Sequence, residues 1–444
     1  MQTATAESGQ SRAHLLATEL ARYEAEQPGY WDFSENRGRQ GSHAFFQYPA
    51  MMVPELQGTL LDALQSVAPE TKLVYDPFLG SGTVLLESIY RGLSFFGTDI
   101  NPMATLLSRV KANPPQGEEA AAAVTRVVER AKRLRKGELH IFPNSDKWFM
   151  DDVAHELTRL RRAIIAEQDL VTRRFLWVCL AETVRLASNS RTSTFKLHVY
   201  AAEDLERRKP RALEMFSSIG ASNATRAGEH WVKLKDQQAT PAVSIVRGSV
   251  LDDVGIPLQA DALMTSPPYG DNDTTVPYGQ HSYLPLQWIA HHDLGEDFDP
   301  DLLRSTLRLD SASLGGSIRN ALDQEERDRL ESLSPALRDF LVKLEGARPL
   351  LKKVLAFTKD YERALRRVST PLKPGGFSFW TLGQRRVGGE TLPLVRMTAE
   401  FLQASGHDEV TTIIRQLPRS RRMPVRNSVG ATMATEHLLT MVKR

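Results

Sequence analysis

Residues 72–112 constrain the chain more than any other stretch, because they read as strand, glycine turn, helix, strand and helix, with an acid at the end of each strand. KLVYDPF is expected to be a strand, GSGT its turn, and TVLLESIYRG a helix stopped by Gly92. LSFFGTD reads as the next strand, and NPMATLLSRVKA as a helix with Pro102 in its first turn. Strands alternating with helices in this way build a parallel α/β sheet. The pattern returns in VSIVRGS and DALMTSPPY, then closes with GFSFWTLG, the helix LPLVRMTAEFLQAS, and the strands EVTTIIRQL and EHLLTMVK. Two long stretches of helical periodicity interrupt it. The expected organisation is a sheet domain in three parts, 1–112, 241–290 and 368–444, with helical insertions at 113–240 and 291–367. A structureless connection as long as 113–240 has no place in a compact domain, so that insertion is expected to be a subdomain.

The glycine turn points to a ligand. After Asp76, Gly80 and Gly82 let the backbone turn tightly, which presents backbone N–H groups and a helix N-terminus. Asp99, 17 positions after Gly82, ends the next strand, where a carboxylate accepts hydrogen bonds from ribose hydroxyls. A phosphate-binding loop would need a lysine after Gly82, and a dinucleotide fingerprint would need glycine where Leu85 stands. The acid at Asp76 would repel a pyrophosphate, but suits a ligand with an amino group and no phosphate. S-adenosylmethionine is such a ligand.

DALMTSPPYGD (261–271) is the second informative motif. An apolar strand runs into Ser266-Pro267-Pro268-Tyr269 at its carboxyl end, where open α/β sheets bind ligands. The prolines fix φ and lack an N–H, and Pro267 biases Ser266 towards an extended conformation. The result is a rigid turn that offers carbonyl acceptors and a flat aromatic face. An amine conjugated to a ring is a poor nucleophile, because its lone pair is delocalised. The Ser266 hydroxyl and the Pro267 carbonyl are suited to hold its two protons and orient the lone pair, while Tyr269 stacks on the ring. This chemistry needs no covalent enzyme intermediate.

Together FFQYPAMM (45–52), DPFLGSGT, the Asp99 strand end and TSPPY resemble the conserved motifs of bacterial DNA amino-methyltransferases, the N4-cytosine and N6-adenine family of restriction–modification systems. The resemblance covers about half the chain. It implies a Rossmann-like S-adenosylmethionine-dependent methyltransferase sheet with two mostly helical insertions. It also implies a donor site at Phe46, Tyr48, Asp76, Phe78, Gly80, Gly82, Thr83 and Asp99, and a catalytic site at Ser266, Pro267, Pro268 and Tyr269. The chain departs from the family in two ways. The donor segment precedes the SPPY motif, whereas many SPPY enzymes have the permuted order. The third strand end, VRGSVLDD, also places Ser249 where an acid often stands, with Asp252 only nearby. Serine at the first motif position favours N4 of cytosine, since aspartate is typical of N6-adenine enzymes. Carbon-5 methylation would need an activated thiol, and the single cysteine, Cys179, sits in the apolar run FLWVCLAETV. Guanine-N2 methylation of RNA is the alternative from another substrate class, and a DNA-binding scaffold without turnover is the non-enzymatic one.

Double-stranded DNA is the expected partner, with room for a cognate restriction endonuclease, and its target base must leave the stack to reach such a pocket. The net charge is only +2, so phosphate contacts must be local. RQLPRSRRMPVR (415–426) holds five arginines and no acid, and Arg419, Arg421 and Arg422 are the phosphate candidates there. Shorter basic runs are ERRKPR and KRLRK. Arg191, Lys196 and His198 in NSRTSTFKLHVY (189–200) suit phosphate and base-edge contacts, or simply belong to a polar strand. Tyr278, with His281 and Tyr283, falls in a polar and aromatic segment read as a loop, either near the flipped base or packed on itself. None of the 11 histidines forms a metal pattern, so no metal is expected. The first residues lack the apolar core of a secretory signal and no run is long enough to span a membrane, so a cytoplasmic location is expected.

Overall fold

The computed structural model describes residues 2–35, 38–135, 137–235, 240–252, 255, 259–270, 276–316, 318, 321–417 and 434–444, with side chains from residue 11 onward. Its strands are β1 (Leu73–Asp76), β2 (Ser94–Asp99), β3 (Val243–Arg247), β4 (Ala260–Thr265), β5 (Leu372–Gly383), the short β6 (Arg385–Val387) and β7 (Glu390–Leu392), β8 (His407–Gln416) and β9 (Thr435–Lys443). β6 and β7 form a hairpin of their own, while the others make one sheet in the order β3-β2-β1-β4-β5-β9-β8. The pairs β1–β2, β2–β3, β1–β4 and β4–β5 are parallel. β9 runs antiparallel between β5 and β8. With the hairpin set aside the order is 3-2-1-4-5-7-6, a Rossmann-like, mostly parallel sheet with an antiparallel strand before its far edge. The strand order reverses between β1 and β4, so the crevice lies at their carboxyl ends.

Period-two alternation within the strands supplies both faces of this sheet. Val74, Phe95, Ala262, Met264, Phe377 and Phe379 join one cluster with Leu16 and Leu20 of the helix Gln2–Glu26, and with the helices Pro54–Val67 and Thr83–Ile89. Tyr75, Phe96, Leu263 and Trp380 face the other way, into a cluster with the helices Pro335–Val342, Arg348–Ser369 and Leu394–Ala404. Coverage of both faces explains why the parallel strands read as nearly continuous apolar runs.

The described residues of 113–240 are mostly helical, with long helices Gly117–Arg133, Asp151–Ile165, Leu170–Ala187 and Ala212–Leu234. Their apolar faces share one cluster with Phe45, Phe46 and Tyr48, with the helix Pro102–Ala112, and with Tyr283–Ala290. The insertion is therefore fused to the sheet domain on the side that carries the donor segment. The segment after the SPPY motif differs from the loop expected: Tyr278–Trp288 is a helix that contains Pro285 and buries His281, Tyr283 and Trp288. Burial against the first insertion outweighs the helix-breaking proline. NSRTSTFKLHVY forms no strand beyond a single bridge between Ser190 and Val199. Among the described residues no helix is long and apolar enough to cross a membrane.

Candidate functional site

The glycine turn is built as its residue types dictate. Gly80 and Gly82 have φ of +50° and +71°, in the left-handed region where glycine is unstrained. A Cβ at Gly82 would also stand 2.7 Å from the Ser108 Oγ, so its absence lets the turn seat on the helix Pro102–Ala112. Asp99 organises the ligand side of the turn. Its Oδ2 accepts from the Gly80 N–H at 2.7 Å and its Oδ1 from the Asn101 N–H at 2.8 Å. Burial pushes the Asp99 carboxyl up to about 6, against the lowering effect of these N–H donors. From beneath, the fully buried Lys111 donates to the Ser81 carbonyl at 2.6 Å, and burial brings its ammonium down to about 7.

The two motifs are joined at their roots. Asp76 Oδ1 accepts from the Thr265 hydroxyl at 2.6 Å and from the Phe78 N–H at 3.1 Å, so the ends of β1 and β4 are locked together. Asp76 Oδ2 is buried without a partner, and burial pushes this carboxyl up to about 7. Beyond Thr265, Ser266 Oγ lies 3.1 Å from the Tyr269 hydroxyl, and that hydroxyl donates to Glu436 Oε1 at 3.3 Å. Glu436 Oε2 in turn accepts from Arg415 Nε at 2.9 Å. Burial first, and then the Glu436 charge, keep the Tyr269 phenol protonated well above its usual range.

These elements surround one cleft of about 920 Å³, open mouth included. Of the donor-site residues named from sequence, Tyr48, Phe78, Gly80 and Asp99 line it, and Ser266, Pro268 and Tyr278 line it with them. The others stand back from the wall. Phe46 is buried, its ring edge-on to His281 at 5.7 Å. Asp76 is buried at the strand end, Gly82 starts the helix Thr83–Ile89, and the buried Thr83 pairs its hydroxyl with Ser81 Oγ at 3.1 Å. Pro267 is buried, and Tyr269 is partly exposed beside Ser266.

Some wall residues carried no signal that drew attention to them. Asn101 caps its helix through its Oδ1, while its Nδ2 donates to the Tyr48 hydroxyl at 3.0 Å and to Ser282 Oγ at 2.8 Å. Its place directly before a helix-starting proline was the legible clue. Leu309, Asp310, Ala312, Ser313 and Leu314 of the second insertion also reach the cleft, and Asp310 accepts from the Gly279 N–H at 2.7 Å. Nothing local in the sequence marks that contact. Gly248, Ser249 and Val250 form the wall past β3, so Ser249 does stand at the cleft, whereas Asp252 does not line it. Tyr48 stacks on Tyr278, with ring centroids 5.8 Å apart.

Outside the cleft, Arg191, Lys196 and His198 are exposed on the 189–200 loop. Phe195 of that loop touches His281, with centroids 5.9 Å apart, which ties the loop to the donor-segment side of the molecule. Arg419, Arg421 and Arg422 lie outside the described residues. Arg415, the first arginine of that basic run, is buried in β8 and bonded to Glu436, so it is not a phosphate contact. Cys179 is fully buried and its thiol is pushed up to about 12, which removes it as a nucleophile.

No family model matches the chain. Over 437 residues, however, it is 29% identical to the Type II methyltransferase M.MvaI of Kocuria varians, covering 93% of each protein. The chain is similar to a Type II methyltransferase over nearly its whole length. A second relative, the Type II methyltransferase M.MjaII of Methanocaldococcus jannaschii, is 25% identical over 111 residues, 24% of this chain and 20% of that protein. Among solved structures, the rRNA methyltransferase aviRa from Streptomyces viridochromogenes aligns over 90% of this chain and 89% of its own, at 12% identity and a TM-score of 0.30. That score is too low to bear on substrate.

Proposed function

We propose that the protein is an S-adenosylmethionine-dependent DNA methyltransferase that methylates the exocyclic N4 amine of a flipped-out cytosine. The observation that carries this reading is one cleft that holds both the Gly80–Asp99 turn and Ser266 of the SPPY motif. The near full-length similarity to a Type II methyltransferase supports it.

The residues fit the donor. Asp99 spends one lone pair of each oxygen on a backbone N–H and keeps the others for ribose hydroxyls. Phe78, Ile100 and Val250 offer apolar wall to a purine. Asp76, buried behind the wall at the end of β1, lends this end of the cleft negative charge when ionised, which favours an ammonium group there through space and without contact. Bound there, S-adenosylmethionine supplies an electrophilic methyl on a positively charged sulfur.

On the acceptor side, the direction of the hydrogen bonds matters. Glu436 as a carboxylate can only accept, so the single Tyr269 proton goes to it. The Tyr269 oxygen therefore accepts from the Ser266 hydroxyl, and Ser266 Oγ keeps lone pairs for an incoming N–H. With the Pro267 carbonyl as second acceptor, the motif holds both protons of a ring amine and turns its lone pair outward. Stacking on the Tyr269 face adds about 1–3 kcal/mol, and holding nucleophile and methyl in line supplies roughly 7–11 kcal/mol of the barrier. Serine rather than aspartate at position 266 is the basis for preferring cytosine. Arg191, Lys196 and His198, with Arg419, Arg421 and Arg422, are the proposed DNA contacts.

Purified protein incubated with methyl-labelled S-adenosylmethionine and unmethylated genomic DNA, or bulk RNA, tests this. Label in DNA, sensitive to Ser266→Ala, is expected. Label in RNA alone would replace DNA by the guanine-N2 alternative.

A further inference from the structure

We propose that Glu436, held by Arg415 and acting through Tyr269 and Ser266, receives the proton that the target amine must lose on methylation. This rests on the amine-methylation reading above. Among the described residues of the SPPY turn the remaining polar groups are a hydroxyl, a phenol and peptide carbonyls, none of them an acceptor of such strength.

The geometry forms an unbroken path. Ser266 Oγ lies at the cleft, the Tyr269 hydroxyl 3.1 Å from it, and Glu436 Oε1 3.3 Å further on. Arg415 fixes the far end, bonding Glu436 Oε2 at 2.9 Å while its Nη1 donates to the Trp31 carbonyl at 3.3 Å. Arg415 is 2% exposed and Glu436 15% exposed, so the pair is rigid yet reaches solvent. The titratable groups facing Glu436 are Arg415 from β8 and Tyr269 from the motif turn, with His437 beside it on β9 and Tyr278 beyond Tyr269. Among the described residues, the formal charge bonded to it, that of Arg415, is positive.

The step balances. The amine lone pair forms the N–C bond as the C–S bond breaks, and that electron pair returns to sulfur, which becomes neutral. The amine now carries the positive charge and passes one proton to Ser266 Oγ. In concert the Ser266 hydroxyl proton moves to the Tyr269 oxygen, and the phenol proton moves to Glu436. Ser266 and Tyr269 end as they began, the methylated base is neutral, and Glu436 returns its proton to water. The Tyr269 phenol never exists as a phenolate, in keeping with its burial. Glu436 acts through Tyr269 and is a positioning residue as well as the proton's destination.

The test is single-turnover methyl transfer to DNA at saturating donor with wild type, Glu436→Gln, Glu436→Asp and Tyr269→Phe, alongside calorimetric donor affinity and DNA-binding titrations. Glu436→Gln keeps an acceptor for Tyr269 but takes up no proton. It is expected to lose about 100-fold in rate and to keep donor and DNA affinity. Glu436→Asp should restore part of the rate, and Tyr269→Phe, which keeps the ring, should match Glu436→Gln. If Glu436→Gln fails to fold, Tyr269→Phe decides. A wild-type rate in Tyr269→Phe would overturn the relay, as would a Glu436→Asp rate no higher than that of Glu436→Gln. No transfer to DNA by wild type would overturn the methyltransferase reading itself and the relay with it, a failure visible before any variant is compared.

Discussion

Replacing Asp99 by Asn preserves shape and removes only charge, yet the hydrogen bonds make it a severe change. Each carboxylate oxygen already accepts a backbone N–H, from Gly80 at 2.7 Å and from Asn101 at 2.8 Å. An amide has one acceptor and one donor end, so in either rotamer its NH2 faces an N–H. One charge-assisted bond is lost, worth about 1.5–3 kcal/mol. The loss falls on the turn that shapes the donor site, and the ribose contact weakens along with it. At 1.4 kcal/mol per tenfold, donor affinity should drop roughly 10- to 100-fold. Titration calorimetry with S-adenosylmethionine measures this directly, and a thermal melt of the free protein should show a lower midpoint. A donor affinity within about twofold of wild type, under 0.5 kcal/mol, would refute the ribose contact and the role of the turn.

Donor affinity should also depend on pH. Burial raises Asp76 to about 7 and Asp99 to about 6 from 3.8, so their contribution to the free protein's stability is full below pH 3.8 and is lost as pH rises through 6–7. A donor ammonium nearby favours ionised Asp76, so affinity should rise between pH 6 and 8 with proton release, and Asp76→Asn should flatten that rise. Lys111, depressed from 10.5 to about 7, has the opposite sign, its contribution being lost as pH falls through 7; Lys111→Met should remove that component from the pH–stability curve. A Cβ on Gly270 would overlap only the flexible Arg385 side chain, which can swing aside, so Gly270→Ala should keep donor affinity and turnover within a few-fold of wild type, as rate and calorimetry together would show. Cys179→Ala should retain methyl transfer in the labelled-donor assay, since the buried thiol takes no part in the chemistry.

The sheet was legible because its strands are bounded by residues with one use each: glycines needing positive φ at 80 and 82, a proline at 102 that starts a helix, and paired prolines that end β4. The closing strands and the helix Leu394–Ala404 were readable from periodicity alone. What escaped depends on distant partners. Tyr278–Trp288 has the proline and polar content of a loop, and becomes a helix because the first insertion buries it. Asp76 reads as a wall residue, yet its side chain turns back to Thr265 from a strand 189 positions away. Asp310 and Glu436 are ordinary acids within their own segments, and only the fold brings them to Gly279 and Tyr269.

The central claim is that this cleft transfers a methyl group to a cytosine amine in DNA. Mass spectrometry of nucleosides from the DNA of cells expressing the protein, beside cells expressing Tyr269→Ala, tests it most directly. N4-methylcytosine in the wild-type sample and its absence from the control is the predicted result. N6-methyladenine would keep the mechanism and correct the base, and DNA with no new methylated nucleoside would contradict the claim.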